Sequence, residues 1–125
     1  MTKFSNNIFD LEERTAKFGE EIILFCKTAA QTTVTRPLIT QIVRSATSIG
    51  ANYMEANNAS SKKDFRNKIY ITKKECQETK HWLRMLATAI PEQKDKLKAL
   101  WQECHELTLI FQKISSSVAG SKVKV

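Results

Sequence analysis

The chain has 125 residues, with 20 Lys and Arg against 13 Asp and Glu for a formal +7, and it holds only 3 Gly and 2 Pro. That length suits one domain with a real core and is too short for a nucleotide-binding domain followed by a substrate domain. So few turn-forming residues argue against sandwiches, barrels and Gly-rich phosphate loops, and an apolar content of 42% excludes a disordered basic tail as the whole molecule.

The opening segment MTKFSNNIFDLEE acquires acids at once and has no apolar h-region, so no signal peptide is expected there. No stretch approaches the roughly 20 apolar residues that span a bilayer. A cytoplasmic protein without membrane contact is therefore expected. Periodicity and punctuation then predict four helices, at about 10–30, 37–58, 61–90 and 91–115. The first is expected to open at Asp10, with Glu13 three residues on completing a capping box. Its apolar seam is Leu11, Phe18, Ile22, Phe25, Cys26 and Ala29. A polar loop, 31–36, leads to Pro37, which suits a first helical turn because its missing amide has no partner there.

Helix two carries an apolar arc through Leu38, Ile39, Ile42, Val43, Ala46, Ile49, Gly50, Tyr53, Met54 and Ala56. Gly50 in mid-helix costs about 1 kcal/mol relative to Ala, so with Ala46 it is read as a place where a neighbouring helix approaches closely. The opposite stripe is polar, and Arg44, Ser48, Asn52 and Glu55, joined by Glu78 of helix three, are read as a structural polar network. Asn57 to Ser61 forms a short connection, with Ser60 or Ser61 as the next cap. Helix three ends before Pro91, which pushes Ile90 out of the helical region and is expected to start helix four. Helix four repeats Leu97, Leu100, Trp101, Cys104, Leu107, Phe111 and Ile114 on one face. Residues 115–125 are expected to be a disordered basic tail beyond a single domain, 1–114. The pattern as a whole is all-α, an antiparallel up-down-up-down four-helix bundle.

Helix three has three distinct faces when residues are set at 100° intervals from Phe65. Its core seam is Phe65, Ile69, Thr72, Cys76, Thr79, Leu83, Ala87 and Ile90. A second apolar group of Ile71, Trp82 and Met85 gathers near about 200° to 260°. It is read either as packing on the other neighbouring helix or as an oligomer interface, where Trp and Met are favoured. Between about 60° and 100° lies a straight basic stripe of Lys62, Arg66, Lys73, Lys80 and Arg84, with Lys63 and Lys74 beside it. It runs about 33 Å along the helix, long enough to follow several phosphates. Residues 60–90 hold eight basic against three acidic side chains, +5 of the total +7. The competing reading is a solvated face whose lysines meet Glu20, Glu21, Glu103 or Glu106 of adjacent helices.

Nothing in the chain resembles catalytic machinery. There is no Ser or Cys beside a His, no paired acids in an apolar setting and no metal-ligand run, so no cofactor, metal or enzymatic activity is expected. Cys26, Cys76 and Cys104 fall on three different helices among apolar neighbours and are read as reduced, buried thiols. Zinc-finger spacing, RRM aromatics and a basic zipper are all missing, so any nucleic-acid contact would be driven by charge and shape, without base-specific recognition.

The run from Arg36 to Leu86, RPLITQIVRSATSIGANYMEANNASSKKDFRNKIYITKKECQETKHWLRML, closely resembles the small bacterial four-helix-bundle proteins known as the 23S rRNA-intervening-sequence protein family. FDLEERTAKFGEEI matches that family's opening, and the likeness covers roughly 8–112. Its most specific parts are Arg44 to Ala56, Ser61 to Phe65, and Glu78. The resemblance implies an antiparallel bundle that assembles as a ring-like homo-oligomer, typically a homopentamer. It also implies a distant similarity to the basic, nucleic-acid-binding accessory proteins of diversity-generating retroelements, without their reverse-transcriptase partner. The family name records genes lying in inserts of ribosomal RNA genes. Two functions follow as expectations: a non-enzymatic homo-oligomer binding structured RNA or DNA through the helix-three stripe, or a protein-interaction scaffold with no nucleic-acid role.

Overall fold

The computed structural model describes residues 8–123, with side chains from 11 to 118. Its four helices are α1 (Ile8–Thr28), α2 (Thr35–Asn57), α3 (Lys62–Ala89) and α4 (Lys94–Val123), with a 3₁₀ turn at Pro91–Gln93 ahead of α4. Among the described residues there is no strand. Each helix packs on the next, and α1 also meets α4. The second and third helices share the largest interface, followed by α3 with α4.

The boundaries follow local chemistry. Ser61 is extended at φ −151°, ψ 163°, and its side chain accepts a hydrogen bond from the Asp64 amide, which caps α3. Before α2, the Thr32 hydroxyl accepts from the Thr35 amide at 3.0 Å, while the buried Thr35 hydroxyl donates to the Ala30 carbonyl at 2.6 Å. Helix α3 stops ahead of Pro91 as expected, but Pro91 opens the 3₁₀ turn instead of α4 itself. Helix α1 begins at Ile8, two residues before Asp10, and the expected capping box at Asp10 lies outside the described side chains. The expectation of a disordered tail from residue 115 is corrected: α4 continues to Val123. Nothing in the Ser115–Ser116–Ser117 run breaks a helix, because serine is only modestly poorer than the best helix formers and no proline follows.

All six residues of the α1 seam are buried, at 0 to 7% exposure. They meet a core built around Ile42, Ile49, Ile69, Leu83, Leu97, Leu107 and the Tyr53–Phe111 pair, whose ring centroids lie 5.3 Å apart between α2 and α4. Leu86, also fully buried, falls about 60° off the seam drawn through Phe65. Because α3 packs on both α2 and α4, it buries a wider arc than one seam. Met54 of the expected α2 arc is instead 51% exposed.

Polar side chains inside the bundle are satisfied locally. Thr15, Thr72, Thr79 and Thr108 donate to the carbonyl four residues back at 2.7 to 2.8 Å. Ser45 and Thr79 join α2 to α3 through buried hydroxyls 2.8 Å apart. All three cysteines are buried and free. Burial pushes the Cys26 thiol up to about 11. A hydrogen bond to Cys104 and burial likewise raise the Cys76 thiol.

At Gly50 the expected close approach is present: a Cβ there would lie 3.4 Å from the Thr15 hydroxyl oxygen and 3.6 Å from the Ala16 amide nitrogen of α1. The reciprocal contact is Gly19 against Ala46 and Thr47 of α2. These small residues floor a groove of about 430 Å³ between α1 and α2.

Candidate nucleic-acid interface

Capped by Ser61, α3 carries all seven basic residues of the predicted stripe and its flanks on one uninterrupted helix. Like charges four apart, as in Lys62 with Arg66 and Lys80 with Arg84, oppose one another by about 0.2–0.5 kcal/mol per pair. Neutralisation by facing acids would relieve this. Among the described residues, none of the seven forms an ion pair.

Two of the four acids that could have met the stripe are engaged elsewhere. Glu103 and Glu106 of α4 are held by Arg14 of α1, with contacts of 2.7 and 2.9 Å to Glu103 and 2.7 Å to Glu106. The Arg14 side chain is only 14% exposed, and the hydrogen bond it donates to Glu103 is the largest of several influences that raise its pKa. Among the described residues the one cation of α3 in an ion pair is Lys68, which lies off the stripe and donates to Glu55 of α2 at 2.6 Å.

Stripe residues instead meet aromatic rings and one imidazole. Lys80 donates to His105 Nδ1 at 2.9 Å, and its ammonium lies 4.8 Å from the Trp101 ring centroid. Trp101 stacks on His105 at 4.9 Å and 12°. Lys73 and Lys74 lie 5.5 and 5.6 Å from the ring of Tyr70, which is 53% exposed between them. Such contacts hold a cation in place without cancelling its charge. Lys62, Lys63, Lys74 and Arg84 are exposed, and Arg66, Lys73 and Lys80 are half-buried.

The expected polar network divides in two. Arg44 donates to the Glu78 carboxylate and lies 3.4 Å from Glu75, and Trp82 Nε1 donates to Glu78 at 3.2 Å. Burial favours the protonated Glu78, but the Arg44 and Trp82 hydrogen bonds outweigh it and hold the carboxyl below its usual range. Glu55 is no part of this cluster, a correction to the sequence reading. Eleven residues separate it from Arg44, about 16 Å along the helix, and Lys68 takes it instead. Asn52 donates within its own helix, to the Ser48 carbonyl at 2.9 Å. Of the second apolar group, Trp82 packs against this bundle's own core and Met85 is half-buried, whereas Ile71 is 36% exposed.

Sequence reasoning missed the contribution of α4. Lys94, Lys98, Trp101 and His105 recur at four-, three- and four-residue steps and so share one helix face. That signal was present, but Trp101 alone of the four belongs to the apolar face read from the sequence. Lys94, Lys98 and Trp101 line a groove of about 450 Å³ with Leu83 and Arg84 of α3. Among the described residues no cluster of three or more metal-ligating side chains occurs, and no helix is long and apolar enough to cross a membrane.

Comparison with known proteins agrees with this architecture. A solved structure from Bacteroides thetaiotaomicron VPI-5482, described as a protein of unknown function from the S23 ribosomal protein family, is similar with a TM-score of 0.75 and 27% identity. The likeness covers 87% of this chain and 97% of that one. Among curated proteins none matches the chain. The family model described as 23S rRNA-intervening sequence protein matches residues 9–114. The chain, four helices packed around one core with a basic face on the third, belongs to the 23S rRNA-intervening sequence protein family.

Proposed function

We propose that this protein is a non-enzymatic, cytoplasmic homo-oligomer, an antiparallel up-down-up-down bundle repeated around a ring, that binds structured RNA or DNA through the α3 stripe. One observation carries the reading: among the described residues, seven cations on one helix form no ion pair, while Arg14 occupies Glu103 and Glu106 of α4. Side chains arranged for internal salt bridges would have used Glu103 and Glu106. A row of unneutralised charge about 33 Å long is suited to phosphates, whose binding releases counterions and therefore falls steeply with salt. Assembly strengthens the field, since five copies at +7 each would bring a formal +35 to one particle. Exposed apolar side chains on every helix, among them Leu24, Met54, Ile71 and Leu109, support self-association.

Binding of a structured RNA across a salt series tests the stripe. The native chain is expected to bind at low salt, and converting Lys73, Lys80 and Arg84 to Gln is expected to weaken binding and flatten the salt slope by about 2 to 3. No binding at low salt, or no loss in the triple variant, would overturn the reading. Light scattering tests assembly: a clean 14.3 kDa monomer at micromolar concentration would contradict the homo-oligomer. A pull-down that returns proteins after nuclease treatment, and no nucleic acid before it, would favour the scaffold reading.

A further inference from the structure

The stripe alone accounts for phosphates and says nothing about bases. The α3–α4 groove adds what the stripe lacks. Its rim is cationic, with Arg84 at the end of the stripe and Lys94 and Lys98 one helical turn apart on α4, and no acidic side chain lines it. Its floor is apolar, formed in part by Leu83, Leu97 and the Trp101 ring. A volume of about 450 Å³ is ample for one planar heterocycle.

We propose that this groove is a subsite for an unpaired nucleotide, in which one base lies against the Leu83, Leu97 and Trp101 floor while Arg84, Lys94 and Lys98 hold the flanking phosphates. The inference rests on the phosphate-binding reading above and extends it to a preference for single-stranded segments. A duplex offers phosphates to the rim but keeps the faces of its bases stacked, leaving the apolar floor without a ligand. A single strand supplies both, which is how aromatic platforms beside cationic grooves bind such strands without reading sequence. Lys80 couples the two regions: it belongs to the stripe and lies over Trp101 while donating to His105. Phosphate contact along α3 and base contact in the groove are therefore parts of one continuous surface.

The full-length chain labelled with fluorotryptophan provides the test, because its two indoles report separately by fluorine NMR. Trp101 lines the groove, and Trp82 lies on another side of α3, bonded to Glu78. A uridine octanucleotide is expected to shift the Trp101 resonance saturably and leave that of Trp82 in place, and an RNA duplex of equal charge, which reaches Lys80 and the rim without placing a base on the ring, is expected to shift Trp101 far less. Trp101→Leu, which keeps an apolar side chain against the core, should weaken octanucleotide binding about tenfold. Lys94→Gln with Lys98→Gln should weaken it without disturbing the fold. The subsite is overturned if octanucleotide binding leaves Trp101 unmoved, or if those variants keep full affinity while the Lys73, Lys80 and Arg84 triple variant loses it, in which case the stripe reading stands alone. Equal shifts from an octaglutamate peptide would also overturn it, marking the groove as a site for acidic protein segments. Absence of binding by octanucleotide and duplex alike would defeat the stripe and the subsite together.

Discussion

Two grooves of nearly equal size, about 430 Å³ between α1 and α2 and about 450 Å³ between α3 and α4, carry opposite charge. Glu12, Glu13 and Glu20 rim the first over a floor of small residues, whereas Arg84, Lys94 and Lys98 rim the second over an aromatic one. Residues 1–35 sum to −1 and residues 60–90 to +5. The net charge is thus sorted across the bundle, and a polyanion would be drawn to the α3–α4 side and repelled from the α1–α2 side. Internal ion pairs sharpen this sorting. Arg14 offsets one of the two charges of Glu103 and Glu106, and Arg44 does the same for Glu75 and Glu78.

The largest expected effect breaks both grooves at once. Phe111 is fully buried and packs in a tilted pair with Tyr53 in the core, so Phe111→Ala should cost about 3–5 kcal/mol. Chemical denaturation would read it, and a loss below 1 kcal/mol would mean that the two halves do not share this core. Arg14→Ala comes next. It leaves Glu103 and Glu106 unpaired and should cost about 2 kcal/mol, between the surface and buried limits for ion pairs. It should also weaken RNA binding slightly at low salt, because the formal net charge falls from +7 to +6.

A smaller change, of opposite sign, tests the α1–α2 groove. A Cβ at Gly19 would sit 3.6 to 3.8 Å from Ala46 and Thr47, in ordinary contact. Gly19→Ala should therefore stabilise the chain by about 0.5–1 kcal/mol through helix propensity and leave RNA binding unchanged. A drop in melting temperature would show that α1 and α2 already touch at their limit.

The smallest effect concerns pH. Glu78 is depressed in the folded state, so its contact with Arg44 contributes stability above the ordinary carboxyl value of 4.5, and that contribution is lost as pH falls through the lower folded value. The pair is partly exposed, so Glu78→Gln should cost about 1 kcal/mol or less at pH 7. The difference from the native chain should shrink on acidification. A difference that grows at low pH would contradict the assignment.

Much of this was legible in the chain. The α1 seam, the Ser61 cap, the Pro91 boundary and the basic stripe all follow from spacing and local chemistry, which act within one helix. What spacing cannot give is the neighbour that stands at each angle. Arg14 meets Glu103 across 89 residues, and Lys80 meets His105 across 25, so neither contact leaves a mark on local periodicity. Glu55 was matched with Arg44 because both lie on one stripe, yet Lys68 on the adjacent helix reaches it first. The α4 half of the candidate site was hidden for a related reason: Lys94 and Lys98 become part of a groove only when Leu83 and Arg84 stand opposite.

The central claim is that charge placed on α3, beyond net charge alone, binds nucleic acid. It is tested most directly by comparing two triple variants that each lower the formal charge from +7 by three. One converts Lys73, Lys80 and Arg84 to Gln, and the other converts Lys17, Lys27 and Lys113, which are exposed on α1 and α4. Affinity for a structured RNA measured across a salt series should fall sharply, with a flatter slope, in the first variant and only slightly in the second. Equal losses in both would contradict the claim.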